Sequence, residues 1–196
     1  MWVRHPNPAS YNPAMALRST IYKAELAVAD IDRGYYADHA LTLARHPSET
    51  EERLMVRALA FAMHADERLS LAGDISTDGE PALWRRDDTG VIEQWIEVGL
   101  PDERLLRRAA GRADEVIVLA YGGRKAEAWW QDNRRDLARL RNLTVWFLPP
   151  EGCDALTALA ERSMRLGCTH QEGHWLISGA QGSAELTHQA WQQPAP

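Results

Sequence analysis

From residue 91 onward the chain alternates strand-like and helix-like segments three times, and this order restricts the fold more than any other feature. VIEQWIEV (91–98) has a period of two, and PDERLLRRAAGR (101–112) opens with proline and acid, as helices do. DEVIVLAYGG is an apolar run stopped by glycine, and KAEAWWQDNRRDLARLR sets Ala126, Trp130, Asn133, Leu137 and Leu140 at spacings of three and four. NLTVWFLPP reads as the next strand and EGCDALTALAERSMRLG as a further helix. Such an order calls for parallel strands joined by helical crossovers, because a tight turn cannot link parallel neighbours. The expected class is α/β. EGHWLISGA and SAELTHQAW, joined around Gln181 and Gly182, depart from the pattern and predict a C-terminal β-hairpin.

The first half is less regular. In STIYKAELAVADI, Ile21, Lys23 and Glu25 face one way and Tyr22, Ala24, Leu26 and Val28 the other, which predicts a strand. DRGYYADHALTLARH has apolar residues at mixed spacing and is read as a short helix or a two-part excursion ended by Pro47. Ser48 and Glu51 match a capping box, and the helix after it carries Leu54, Ala58, Phe61 and Ala65 on one stripe with Met55, Leu59 and Ala62 beside them. After the turn-rich SLAGDISTDGEP, PALWRR and VIEQWIEV are expected as a hairpin or close strand pair about DDTG. Residues 1–16, with Pro6, Pro8 and Pro13, read as a flexible leader, residues 17–192 as one domain and 193–196 as a flexible end.

Composition narrows the function classes. A net charge of -6 gives no global attraction to nucleic acid or anionic membranes. Arg104, Arg107, Arg108 and Arg112, followed by Arg124, Lys125, Arg134, Arg135, Arg139 and Arg141, are either a solvated, ion-paired helix face or a phosphate-contact surface. Cys153 and Cys168 are too few for a disulfide framework, which favours a reducing, cytoplasmic setting, and no apolar run reaches the roughly 20 residues of a membrane span. GAQGS does not supply the G-x-S-x-G elbow, and AYGGRKAE does not meet the phosphate-loop pattern. Cys168, His170 and His174 lack the second cysteine pair of a structural zinc site. Most of the eight tryptophans fall in predicted elements and read as core, with Trp175 and Trp191 expected to be more exposed.

Among titratable residues Glu97 stands out. An acid near the C-terminal end of a strand surrounded by apolar residues needs a partner, and open sheets expose functional groups at that end. A second candidate is a polar, phosphate-binding cleft of Tyr36, His39, Arg45, Arg53 and Arg57, where guanidinium groups would grip an anion; the histidine reads equally well as a structural donor.

Several long strings occur together in one order: YYADHALTLARHPSETEERLMVRALAFAMHA, EPALW, WIEVGLPDERLLRRAAGRADEVIVLAYGG, WWQDN and NLTVWFLP. They closely resemble the bacterial YaeQ family over roughly residues 16–192. That family is similar in fold to the restriction-endonuclease-like, PD-(D/E)XK proteins. The resemblance implies a mixed sheet flanked by helices and Mg²⁺-dependent phosphodiester hydrolysis on nucleic acid. The superfamily's helix glutamate falls on Glu52 or Glu49, its first strand acid on Asp78 or Glu80, and its (D/E)XK acid on Glu97. The motif lysine position holds Gly99, and the resemblance leaves Lys125, then Arg104, as replacements. Glu80, Glu97 and Asp78 would hold the metal through hard oxygen ligands. Each also has a plainer reading: Glu52 as a first-turn acid, Glu80 as a turn acid, Lys125 as a surface lysine. The competing function is a non-catalytic, monomeric scaffold that binds nucleic acid or a protein partner.

Overall fold

Alternation along Thr20–Asp30 (β1) buries Tyr22, Ala24, Leu26 and Val28 and leaves Ile21, Lys23 and Glu25 in solvent, as a strand with one covered face requires. The computed structural model describes residues 19–72 and 79–194; the leader and Asp78 lie outside them. After a turn, Tyr35–Arg45 (β2) pairs with β1 residue for residue, from Thr20↔Arg45 to Asp30↔Tyr35. This segment is therefore a strand and not the helix or excursion expected. Its mixed spacing reflects an edge position, where burial is complete only at Leu41 and Leu43.

Glu51–Met63 (α1) is next, then Leu69–Leu71 (β3), Leu83–Arg86 (β4), Ile92–Val98 (β5), Glu103–Ala110 (α2), Ala113–Ala120 (β6) and Arg124–Leu137 (α3). Leu143–Phe147 (β7), Pro150–Thr157 (α4), Ser163–Gln171 (β8), His174–Gly179 (β9), Gly182–Thr187 (β10) and Gln189–Gln192 (β11) complete the order. The predicted last helix stops at Thr157; the residues beyond it turn extended because β8 inserts parallel to β1, with Leu26 opposite Leu166.

One mixed sheet was the expectation, and two are found. One has the order β10-β9-β8-β1-β2, the other β11-β7-β6-β5-β4-β3. In the second, β5, β6 and β7 are parallel, as the strand–helix order required, and the C-terminal β9–β10 hairpin extends the first sheet. The layers follow from the two core clusters. Helices α1 and α4 lie between the sheets with Leu26, Leu43, Ile96, Ile117 and Leu119. On the far side of the second sheet, α2 and α3 cover Trp95, Val116 and Val118 with Leu106, Ala109 and Leu137. Placed between two sheets, α1 is buried at every position from Leu54 to Met63, so its apolar residues must run all round. No helix among the described residues is long and apolar enough to cross a membrane.

Candidate functional site

The parallel strands β5, β6 and β7 end on one edge of their sheet, and the chain leaves each through glycine or proline into a helix. Glu97 is the penultimate residue of β5. It is 7% exposed, lies opposite Val118 of β6, and accepts a 2.8 Å hydrogen bond from Trp95 Nε1, two residues back on the same face. Burial pushes its carboxyl up to about 7, against the weaker pull of the Trp95 bond and the Arg53 charge.

Two residues on, Gly99 donates its N–H to the Leu119 carbonyl at 2.9 Å with φ +108. That backbone state excludes ordinary side chains even though an added Cβ would meet nothing closer than Tyr121 Cε1 at 3.9 Å.

On the inter-sheet side of this edge, α1 begins. Its N-cap is Thr50, whose hydroxyl accepts from the Arg53 N–H at 3.1 Å. The expected Ser48–Glu51 box does not form, because Ser48 bonds His46 Nδ1 at 2.6 Å and Glu51 accepts from the Tyr22 hydroxyl at 3.0 Å. Glu49 is buried and accepts from Arg53 Nη1 at 2.7 Å and from Arg57 Nη1 at 3.0 Å on both oxygens. Glu52 is half-buried, and burial followed by the charge of Asp154 on α4 raises its pKa. Burial, then the charge of Glu52, pushes the Tyr121 hydroxyl and the Cys153 thiol up to about 12. Glu52, Tyr121 and Cys153 therefore share one electrostatic neighbourhood between α1, the end of β6 and α4, and Arg53 acts on both Tyr121 and Glu97.

Glu80 is half-buried just ahead of β4, where the Ala82 N–H bonds the Ile96 carbonyl at 3.0 Å, so it arrives beside the end of β5. Lys125 is exposed in the first turn of α3, past the end of β6 on the same sheet edge. Among the described residues no group of three or more His, Cys, Asp or Glu side chains converges to hold a metal. The expected phosphate cleft is dispersed. Arg53 and Arg57 are committed to Glu49; Arg45 approaches Glu51 at 3.5 Å and lies over the Tyr22 ring; His39 meets the Tyr35 hydroxyl at 2.9 Å; Tyr36 is 65% exposed.

A second polar cluster, missed from sequence, joins both sheets near the other end of α1. Asp30, 1% exposed, accepts from Arg33 Nε at 2.6 Å and lies 2.9 Å from His170 Nδ1. Burial works to raise the Asp30 pKa, but these hydrogen bonds outweigh it and hold the carboxyl below its usual range. His170 stacks on Trp175, which at 3% exposure is core and not the exposed ring expected. His188 packs edge-on against Trp146, and His64 caps the C-terminus of α1 with burial lowering its pKa to about 3. The β1–β8 pairing sets Asp30 opposite His170, a juxtaposition that local pattern does not signal.

A family model described as YaeQ protein matches residues 15–188. The chain belongs to the YaeQ family. YaeQ proteins of Salmonella typhi and Escherichia coli K12, both named as uncharacterized, are 46% identical to it over 181 residues, which is 92% of this chain and all of theirs. The crystal structure of YaeQ protein from Xanthomonas axonopodis pv. citri is 48% identical, covers 90% of this chain and 99% of its own, and superposes with a TM-score of 0.87. That of Pseudomonas syringae is 34% identical, covers 89% and 97%, and gives 0.85. The arrangement of strands and helices around Glu97 thus has close counterparts among solved YaeQ folds.

Proposed function

We propose that this chain is a cytoplasmic, restriction-endonuclease-like phosphodiesterase that uses Mg²⁺ on nucleic acid, with its site at the C-terminal edge of β5 and β6. The observation that carries the reading is Glu97, a carboxylate buried at the end of a parallel strand, with one indole donor and a pKa lifted to about 7. A divalent cation is the partner that keeps such a group ionised at neutral pH. The donor types suit the ion: Mg²⁺ is held by one or two carboxylates and retains waters, which Glu97, together with Glu80 just ahead of the Ala82–Ile96 bond, would supply. Asp78, the third candidate ligand, lies outside the described residues.

When bound, the metal supplies a more acidic water and neutralises charge on a phosphoryl oxygen. The residues of the chain do the rest. Glu97 and Glu80 bind, and Trp95 Nε1 holds the Glu97 carboxyl in one orientation. Glu52, with its raised pKa, takes or returns a proton at its carboxyl oxygen. Lys125, exposed and without an ion-pair partner among the described residues, supplies positive charge to the phosphate in place of the motif lysine. The second reading, a non-catalytic scaffold that binds nucleic acid or protein, is favoured by Gly99, whose φ of +108 bars a lysine from the motif position.

Calorimetric titration of Mg²⁺ into the protein and into Glu97→Gln, each with an oligonucleotide present, tests the choice. Saturable binding that the variant loses, with hydrolysis reduced by about a hundredfold or more, is expected. No binding in the unaltered chain would leave the scaffold reading.

A further inference from the structure

We propose that a cleft between the C-terminal half of α3 and β11 binds single-stranded nucleic acid, with a base stacked on Trp130 and phosphates held by Arg134, Arg135 and Arg141. The cleft has a volume of about 490 Å³, and its lining combines these four residues with Trp191 and Gln193. This site is independent of the hydrolytic reading. Lys125 lies in the first turn of α3, whereas Arg134 and Arg135 lie in its last, about 14 Å further along at the helical rise.

Aromatic surface is presented here in an ordered way. Phe147 and Trp191 stack at 4.4 Å and 8°, and Trp191 and Trp130 at 5.6 Å and 20°. Phe147 is buried and the two indoles are half-buried, so the stack runs from the core toward solvent and ends on Trp130. A planar base extends such a stack, and every base has the π-face to do so. Gln192 fixes the platform: its Nε2 reaches the carbonyls of Leu137, Leu140 and Leu143 at 3.0, 3.2 and 3.4 Å. One of them, Leu137, is the last residue of α3, and its carbonyl would otherwise turn partial negative charge on an incoming phosphate.

The arginines supply the complementary charge. Arg107 pairs with Glu103 and Arg139 with Asp136, but Arg134, Arg135 and Arg141 have no ion-pair partner among the described residues and are exposed. In a chain of net charge -6, three unneutralised guanidinium groups around an indole form a local anion field opposed to the global one. Guanidinium groups suit phosphate through forked hydrogen bonds, and the indoles distinguish the site from one made for a simple polyanion. A duplex hides its base faces inside the stack, which makes the single strand the fitting form.

The test is fluorescence titration with an oligothymidylate of about 12 nucleotides, without divalent metal, at about 50 and 200 mM salt. Saturable, salt-sensitive binding is expected. Trp130→Leu, which keeps an apolar group against Trp191, should weaken it about tenfold. The exposed double change Arg134→Glu with Arg141→Glu should weaken it by about a hundredfold or more and flatten what salt dependence remains. Binding that survives both variants, or no saturable binding at all, would overturn the proposal. Thymidine monophosphate binding as tightly as the oligomer would overturn the strand in favour of a free nucleotide, and inorganic polyphosphate binding with equal affinity would reduce the site to charge alone.

Discussion

At Glu97 the environment works against the ionised form, and this has a measurable sign. Its pKa is near the ordinary glutamate value of 4.5 in the unfolded chain and about 7 in the folded one, so between these values the folded state binds more protons. The stability it contributes is complete below pH 4.5 and is lost as pH rises through 7, a change of up to about 3 kcal/mol. Glu97→Gln should therefore gain stability over the parent at pH 8 relative to pH 5, read as a shift in urea midpoints with a chelator present. Equal shifts at the two pH values would show that the carboxylate has found a partner of its own. That Glu97 would be buried and need a partner was legible because an acid in an apolar strand is conspicuous. Its neighbours were less so: Tyr121 and Cys153 meet Glu52 only where α1 and α4 pack between the sheets.

At the scale of the element, α1 shows what a helix needs when it is enclosed. Arg57 lies in its middle at 5% exposure, and the Glu49 carboxylate ahead of the helix neutralises it. Glu49→Ala strands that charge and should cost about 3–5 kcal/mol in chemical denaturation. Removing the cap with Thr50→Ala should cost only about 1 kcal/mol. A smaller loss for Glu49→Ala than for Thr50→Ala would mean that Arg57 finds water when its partner is gone. The helix itself was readable from its stripe of apolar residues, whereas its cap was not. Ser48 and Glu51 had the right spacing, but Ser48 bonded its near neighbour His46 and Glu51 took a tertiary partner, Tyr22. The same cause hid β2 and β8: each owes its extended form to β1, and local periodicity does not report a partner strand. The parallel β5–β6–β7 order was legible because crossover connectivity is written along the chain itself.

For the whole molecule, acid stability is a contest between two ends of α1. His64 is buried with a pKa of about 3, and burial also lowers that of His188. The unfolded chain binds protons at these sites near pH 6.5, so the stability they secure is present above that value and is lost as pH falls toward 3. By pH 5 His64 alone should remove about 2 kcal/mol, while Glu97 acts in the opposite direction above pH 4.5. The parent should thus have a flatter stability profile from pH 6.5 to 5 than either single variant. His64→Leu should become more stable on acidification relative to the parent, and Glu97→Gln less stable, in denaturation series across that range. The strand pairing has a further consequence, for synthesis. Asp30 of β1 faces His170 of β8 across 140 residues, and the edge of the other sheet is finished by β11 at the very end of the chain. A nascent chain that has emerged only as far as α4 holds β1 with one edge unpaired and α1 without half of its enclosure. Such pairing is slow and exposes apolar surface while it waits, so β1 and α1 stay incompletely covered until β8 has been made.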